Sequence, residues 1–145
     1  MATTKDTAMS QLLLDIIAPI VTAIRAYMRD VPGSRLTVPQ FRVLGYVSLN
    51  PCTKKQLADW QGVSLPAMSR MVDHLVRRRL LVSRRDTADR RQVLVGLSAK
   101  GRAEFERLRA RLRIKLAERI APLAEGDKRA LATGLLILKE LFSDA

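Results

Sequence analysis

In one place along this chain the spacing of apolar residues changes from helical to alternating. In "SLPAMSRMVDHLVRRR" (64–79), Leu65, Met68, Met71, Val72 and Leu75 recur every three or four residues, which is a helix with one buried face. In "QVLVGLS" (92–98), Val93, Val95 and Leu97 alternate with Leu94 and Gly96, which is a strand. "LLVSRR" (80–85) is its expected partner, and "DTAD" joins the two. A lone hairpin in an otherwise helical chain gives a mainly α fold with a small antiparallel β-hairpin.

The remaining elements follow from periodicity and caps. Between Met9 and Met28, Leu13, Ile16, Ile17, Ile20, Val21, Ile24 and Tyr27 give helical spacing, interrupted at Pro19 and ended by "DVPGSRL". "TVPQ" opens a second helix, with Thr37 and Gln40 as a capping box and Pro39 in the tolerated first turn. It stops near Leu49 at "NPC". "TKKQ" repeats the box with Thr53 and Gln56 and starts a short helix ending near Gln61, followed by the tight turn "QGV". Ser64 caps the fourth helix. Ser98 caps a long charged helix whose expected buried stripe is Phe105, Leu108, Leu112, Leu116 and Ile120. A last helix carries Leu131, Leu135, Leu138 and Phe142. At 145 residues the expectation is one domain, 1–145.

Two short capped helices around a Gly-containing turn make a helix-turn-helix, whose second helix enters the major groove of DNA. Opposite its buried face, that helix presents Pro66, Ser69, Arg70, Asp73 and Arg77, with Ala67 near its start. Small and hydroxyl residues permit close approach to base edges, and an arginine one turn on can fork onto guanine or hold a phosphate. Asp73 is expected to pair with a nearby arginine. Charge points the same way: 26 Lys and Arg against 14 Asp and Glu leave a formal +12, which attracts polyanions.

The hairpin then acquires a role. Arg84, Arg85, Arg90 and Arg91 lie on it directly after the candidate reading helix. Such a hairpin can lie along the duplex and insert its tip into the minor groove, where a narrow A·T tract favours a guanidinium. Asp89 is expected to clamp the guanidinium of Arg91 before DNA arrives and so lower the entropy lost on binding.

These two stretches, "SLPAMSRMVDHLVRRRLLVSR" and "DRRQVLVGLSAKG", resemble the reading helix and wing of the MarR (multiple antibiotic resistance regulator) family of winged helix-turn-helix proteins, and the similarity extends over nearly the whole chain. The resemblance places Asp89 and Arg91 at the wing positions, and Ser64, Pro66, Ser69 and Arg70 on the DNA-reading helix. It implies a winged helix-turn-helix core at 35–98 flanked by dimerisation helices at 9–29 and 99–143. Two departures stand out. Arg79 occupies the place where the family commonly ends the reading helix with Gly, so a left-handed cap there is less comfortable. Ser98 replaces the more usual Thr, and either hydroxyl can cap.

The terminal helices are more apolar than one small core can cover, with Leu12, Leu13, Leu14, Ile16 and Ile17 at one end and Leu135, Leu136, Ile137, Leu138, Leu141 and Phe142 at the other. The resemblance makes them a homodimer seam that sets two reading helices about 34–36 Å apart on a pseudo-palindromic site. It also implies a regulator, expected to be a repressor, released by a small aromatic or phenolic ligand bound between dimer helices and core. Met28, Arg42, Tyr46 and Trp60 are the candidate lining residues. The rival reading is a non-specific architectural DNA-binding protein.

An enzyme is not expected, because His74 is the single histidine and neither a catalytic triad nor a metal set assembles around it. No cofactor or metal is expected. Cys52 is the one cysteine, which excludes an intrachain disulfide. Some relatives sense oxidants through a first-helix cysteine; none occurs between Met9 and Met28, leaving oxidant sensing by Cys52 as a minor reading. With no signal-peptide pattern, and no apolar run approaching the ~20 residues of a membrane span, a cytoplasmic location is expected.

Overall fold

The computed structural model describes residues 3–143, so residues 1, 2, 144 and 145 of the expected unit lie outside it. Six helices and one hairpin follow in the expected order: α1 (Thr4–Arg29), α2 (Val38–Leu49), α3 (Lys54–Gln61), α4 (Leu65–Arg77), β1 (Leu81–Arg85), β2 (Val93–Leu97), α5 (Ala99–Ile120) and α6 (Glu125–Leu141). This is a mainly α winged helix-turn-helix with a two-stranded antiparallel sheet, as the sequence led one to expect.

The caps fall where the motifs put them. Thr37 and Thr53 each close a capping box, with Gln40 and Gln56 accepting the cap N–H at 3.1 and 2.9 Å. Ser64 accepts from the Ala67 N–H at 3.3 Å, and Ser98 from the Gly101 N–H at 2.9 Å. The start of α1 is a correction. It begins at Thr4 rather than Met9, because Thr3 and Asp6 form a capping box that lies upstream of the apolar period. The helix runs continuously through Pro19.

The core gathers around the helix-turn-helix. Val43, Leu44, Leu57, Met68, Val72, Leu75, Leu80, Val95 and Leu108 are all fully shielded, each contributing ~1.5–3 kcal/mol relative to exposure. In α5 the expected stripe is only half realised. Phe105, Leu108 and Leu112 are buried, whereas Leu116 and Ile120 are 37% and 38% exposed, because the helix runs on past the winged core. No residue of α6 is buried, and the helix hardly touches the rest of the described chain.

The helix-turn-helix ends both of its helices in the same way. After α3, Gly62 takes a left-handed φ of 70° and Val63 N–H reaches back to the Ala58 carbonyl at 3.0 Å. After α4, Arg79 takes φ 60°, while Leu80 N–H donates to Leu75 O at 2.9 Å and Arg79 N–H to Val76 O at 2.8 Å. These two bonds are a Schellman closure, with Leu80 folded onto Leu75 as its apolar clasp. The helix end is therefore unchanged by the arginine, which accepts a conformation that costs an L-residue roughly 1–2 kcal/mol.

The wing is pinned at its base. Leu81 pairs with Leu97 and Arg85 with Val93, and Cys52 forms a single further bridge to Val95. Its N–H donates to Val95 O at 3.1 Å and its carbonyl accepts from Val95 N–H at 2.7 Å. Below the hairpin, Gly101 lies so close to Leu80 that a Cβ there would stand 1.9 Å from the Leu80 carbonyl oxygen. Only glycine permits that approach.

Relieving the left-handed arginine gives a direct test. Arg79→Gly is expected to raise unfolding stability by about 1 kcal/mol in urea titration, with an unchanged m-value. A destabilised Arg79→Gly chain would show that the side chain, and not the backbone, governs this turn.

Candidate nucleic-acid interface

Helix α4 is divided cleanly. Met68, Val72 and Leu75 are buried, while Ser64, Pro66, Arg70 and Arg77 are exposed and Ala67 and Ser69 half-buried. Arg84, Arg85, Asp89, Arg90 and Arg91 on the hairpin are all exposed. Among the described residues none of Arg70, Arg77, Arg84, Arg85, Arg90 and Arg91 has a carboxylate partner. Six guanidiniums without internal counterions form a strongly positive face.

The helix and the hairpin flank a common open groove. Leu65 and Ser69 of α4, Gln92 and Val93 of the wing, and Thr53 to Gln56 at the start of α3 surround a space of about 600 Å³. Lys54, Lys55, Gln56 and Gln92 were not singled out from sequence. The signal was present in "TKKQ", since a capped helix start carrying two lysines presents positive charge together with the helix N-terminus.

Two expected contacts are corrected. Asp73 pairs with Lys54 Nζ at 2.8 Å, not with an arginine, and so ties α4 to the start of α3. The lysine lies closer because the helix-turn-helix angle brings the α3 N-terminus onto the middle of α4. Asp89 does not clamp the Arg91 guanidinium. Its Oδ1 accepts from the Arg91 backbone N–H at 3.0 Å, and Asp86 does the same for Ala88 N–H at 3.0 Å. Two carboxylates two residues back from the amides they hold make a pair of Asx turns at the wing tip. The arginine side chains remain free.

The four candidate ligand residues do not converge. Tyr46 and Trp60 stack with ring centres 4.5 Å apart, and Arg42 lies over the Trp60 ring at 4.9 Å. They satisfy one another. Met28 is buried elsewhere, at the α1–α2 junction. A separate cavity of about 390 Å³ opens between α1, α2 and α5, lined by Ile24, Phe41, Gly45, Phe105 and Leu112 with Arg42 and Arg109 among its cations. Only Arg42 of the four faces it.

Cys52 is buried, and that burial pushes its thiol up to about 11 from an ordinary 9.0. A thiol held neutral is a poor nucleophile, which opposes oxidant sensing. Among the described residues no group of three or more His, Cys, Asp and Glu could hold a metal ion. One expectation about membranes is overturned. Helix α1 is long and apolar enough to cross a bilayer by length and composition alone. Asp15, halfway along, would oppose such a placement by ~2.5–3.5 kcal/mol.

Comparison with known proteins agrees with this geometry. Residues 36–92 match the model of the MarR family. The structure of Rv1404 from Mycobacterium tuberculosis superposes with a TM-score of 0.84 at 26% identity, covering 97% of this chain and 95% of that one. FabT from Streptococcus pneumoniae, solved in complex with DNA, gives 0.74 at 21% identity over 95% and 97%. Apo MarR from E. coli gives 0.76 at 24% identity over 92% and 96%. No curated protein matches the chain by sequence.

The raised thiol sets a pH window. The fold accommodates the neutral Cys52, so its contribution is complete below about pH 9 and is lost as pH rises towards 11. Cys52→Ala is expected to flatten the loss of stability across that window. At pH 8, native Cys52 should react with iodoacetamide at least tenfold more slowly than in urea; equal rates would contradict its burial.

Proposed function

Because residues 36–92 match the model of the MarR family, we propose that the protein is a double-stranded-DNA-binding transcriptional regulator of that family, acting as a homodimer in the cytoplasm. The observation that carries this reading is the groove that α4 and the wing share, lined by Lys54, Lys55, Ser69 and Gln92; the same two elements carry the arginines without carboxylate partners among the described residues. Ser69 and Arg70 on α4 read base edges in the major groove, with Ser64, Pro66 and Ala67 allowing close approach. Arg84, Arg85, Arg90 and Arg91 follow the backbone and enter the minor groove, with Asp89 shaping the tip. Arg77 holds phosphate. That FabT, which shares the fold, was solved with DNA supports the assignment.

Dimerisation accounts for the terminal helices. Leu12, Leu14, Leu136, Leu141 and Phe142 are each more than 60% exposed in the single chain. Burying such a surface against a second copy supplies ~25 cal/mol per Å² of apolar area. It also explains the membrane-like composition of α1, which must be apolar along most of its length to enter a helical seam. Two-fold symmetry then sets both reading helices on one duplex face, for a pseudo-palindromic operator.

The protein acts as a repressor, and its effector is a small aromatic anion. The cavity between α1, α2 and α5 suits such a ligand, since Phe41 and Phe105, packed against each other with ring centres 5.1 Å apart, form an apolar wall and Arg42 and Arg109 provide cations. An aromatic carboxylate seated there would touch both the long helices and the core.

Footprinting over the protein's own upstream region, followed by titration of variants, tests the reading. Arg91→Ala is expected to weaken operator binding and flatten the salt slope by about 1. Ser69→Ala or Arg70→Ala should change base preference, at about 1–3 kcal/mol per lost contact. Equal loss on every duplex would instead indicate an architectural protein. Deleting α6 should leave a folded monomer in ultracentrifugation; a stable dimer without α6 would remove the seam.

A further inference from the structure

At the junction of α1 and α2 the chain forms another cavity, of about 420 Å³, which shares no lining residue with the groove between α4 and the wing. Arg25 and Arg29 on the last turns of α1 and Arg35 on the connecting loop surround it, with Ser34, Thr37 and Met28. Arg25 and Arg29 are four residues apart, which places them on one face of α1. None of the three guanidiniums has a carboxylate partner or an internal acceptor among the described residues, although Asp30 and Asp6 are on the same helix or next to it. Three like charges around one recess repel each other, and among the described residues no carboxylate lies within ion-pair distance of them.

Two further features favour an anion. The Ser34 hydroxyl is withdrawn from solvent yet has no hydrogen-bond partner. At the start of α2, Pro39 has no N–H, Gln40 N–H is taken by Thr37 Oγ1 and Phe41 N–H by Thr37 O, which leaves the Val38 N–H open beside the cavity. The recess therefore offers forked donors, a free amide and an unsatisfied hydroxyl, and nothing in it accepts strongly except backbone carbonyls. Guanidinium forks match phosphoryl oxygens two at a time.

We infer that this cavity binds a multiply charged phosphoryl group of a small molecule, gripped by Arg25, Arg29 and Arg35. Its size exceeds one phosphate and suits a group with at least two phosphoryl units or one with an attached residue. The site is also mechanically connected. Arg78, which closes α4, donates from its guanidinium to the Arg35 carbonyl at 3.2 Å and approaches Glu104 Oε1 at 3.6 Å. An anion drawn onto Arg35 acts on the same loop that holds the end of the reading helix. This link to DNA rests on the function proposed above; the anion site does not.

Calorimetric titration of inorganic pyrophosphate into the full chain at fixed ionic strength tests the site. The wild type is expected to bind, and Arg29→Gln/Arg35→Gln to bind at least tenfold more weakly. Arg84→Gln/Arg90→Gln, which removes equal charge from the wing, is expected to bind as the wild type does. All four side chains are exposed, so both variants retain the fold, checked by circular dichroism. No binding by the wild type, or equal weakening in both variants, overturns the inference. Duplex binding separates the source of the phosphate. Unchanged duplex affinity in Arg29→Gln/Arg35→Gln supports a small molecule, whereas a weaker, less salt-dependent complex overturns it in favour of the DNA backbone. Specific pyrophosphate binding in a chain that binds no duplex would leave this site standing and remove the regulatory reading.

Discussion

The fold depends on a contact between the end of α4 and the start of α5. Ser98 is the cap of α5, and its hydroxyl accepts from Gly101 N–H while donating to the Arg79 carbonyl at 2.6 Å. The Ser98 N–H meets the Leu80 carbonyl at 3.1 Å, and the same carbonyl rests against Gly101. Lys100 adds its ammonium to the Arg78 carbonyl at 3.0 Å, where the α4 dipole is negative. One turn of chain thus fixes three things: where the reading helix stops, where the wing begins, and how the long helix leaves the core.

From that junction the molecule separates two kinds of surface. Among the described residues, arginines without counterions collect on α4 and the wing, whereas exposed leucines and isoleucines collect on α1, the second half of α5, and α6. Tyr27 and Arg119, 3.1 Å apart through the hydroxyl, and Arg107 on the Pro32 carbonyl at 2.9 Å, hold α5 against α1 between these regions. A small core thus holds the charged surface and the apolar surface apart from each other.

Much of this was legible in the sequence because it is local. Capping boxes, the Gly62 turn and the change of apolar period are decided within a few residues, and the structure follows them closely. What could not be read depends on distance. The Lys54–Asp73 pair joins residues that only the helix-turn-helix angle brings together. Leu116 and Ile120 continue a perfect helical stripe, but periodicity cannot say where the core ends. The aspartates of the wing were recognisable as orienting groups; whether they orient a side chain or a backbone amide is a matter of ångströms. Arg42, Tyr46 and Trp60 looked like pocket walls because aromatic and cationic residues serve ligands and each other equally well.

The bridge from Cys52 to Val95 has a mechanical implication. It laces the loop ahead of α3 into the lower rung of the hairpin, so that base cannot swing without breaking two backbone hydrogen bonds buried under the core. Above Val93 the ribbon has no such tether, and its tip is braced only by its own turns. Bending is therefore confined to the outer portion of the finger. A protein made this way can adjust its fingertip to a groove of varying width while its grip on the neighbouring helix stays rigid.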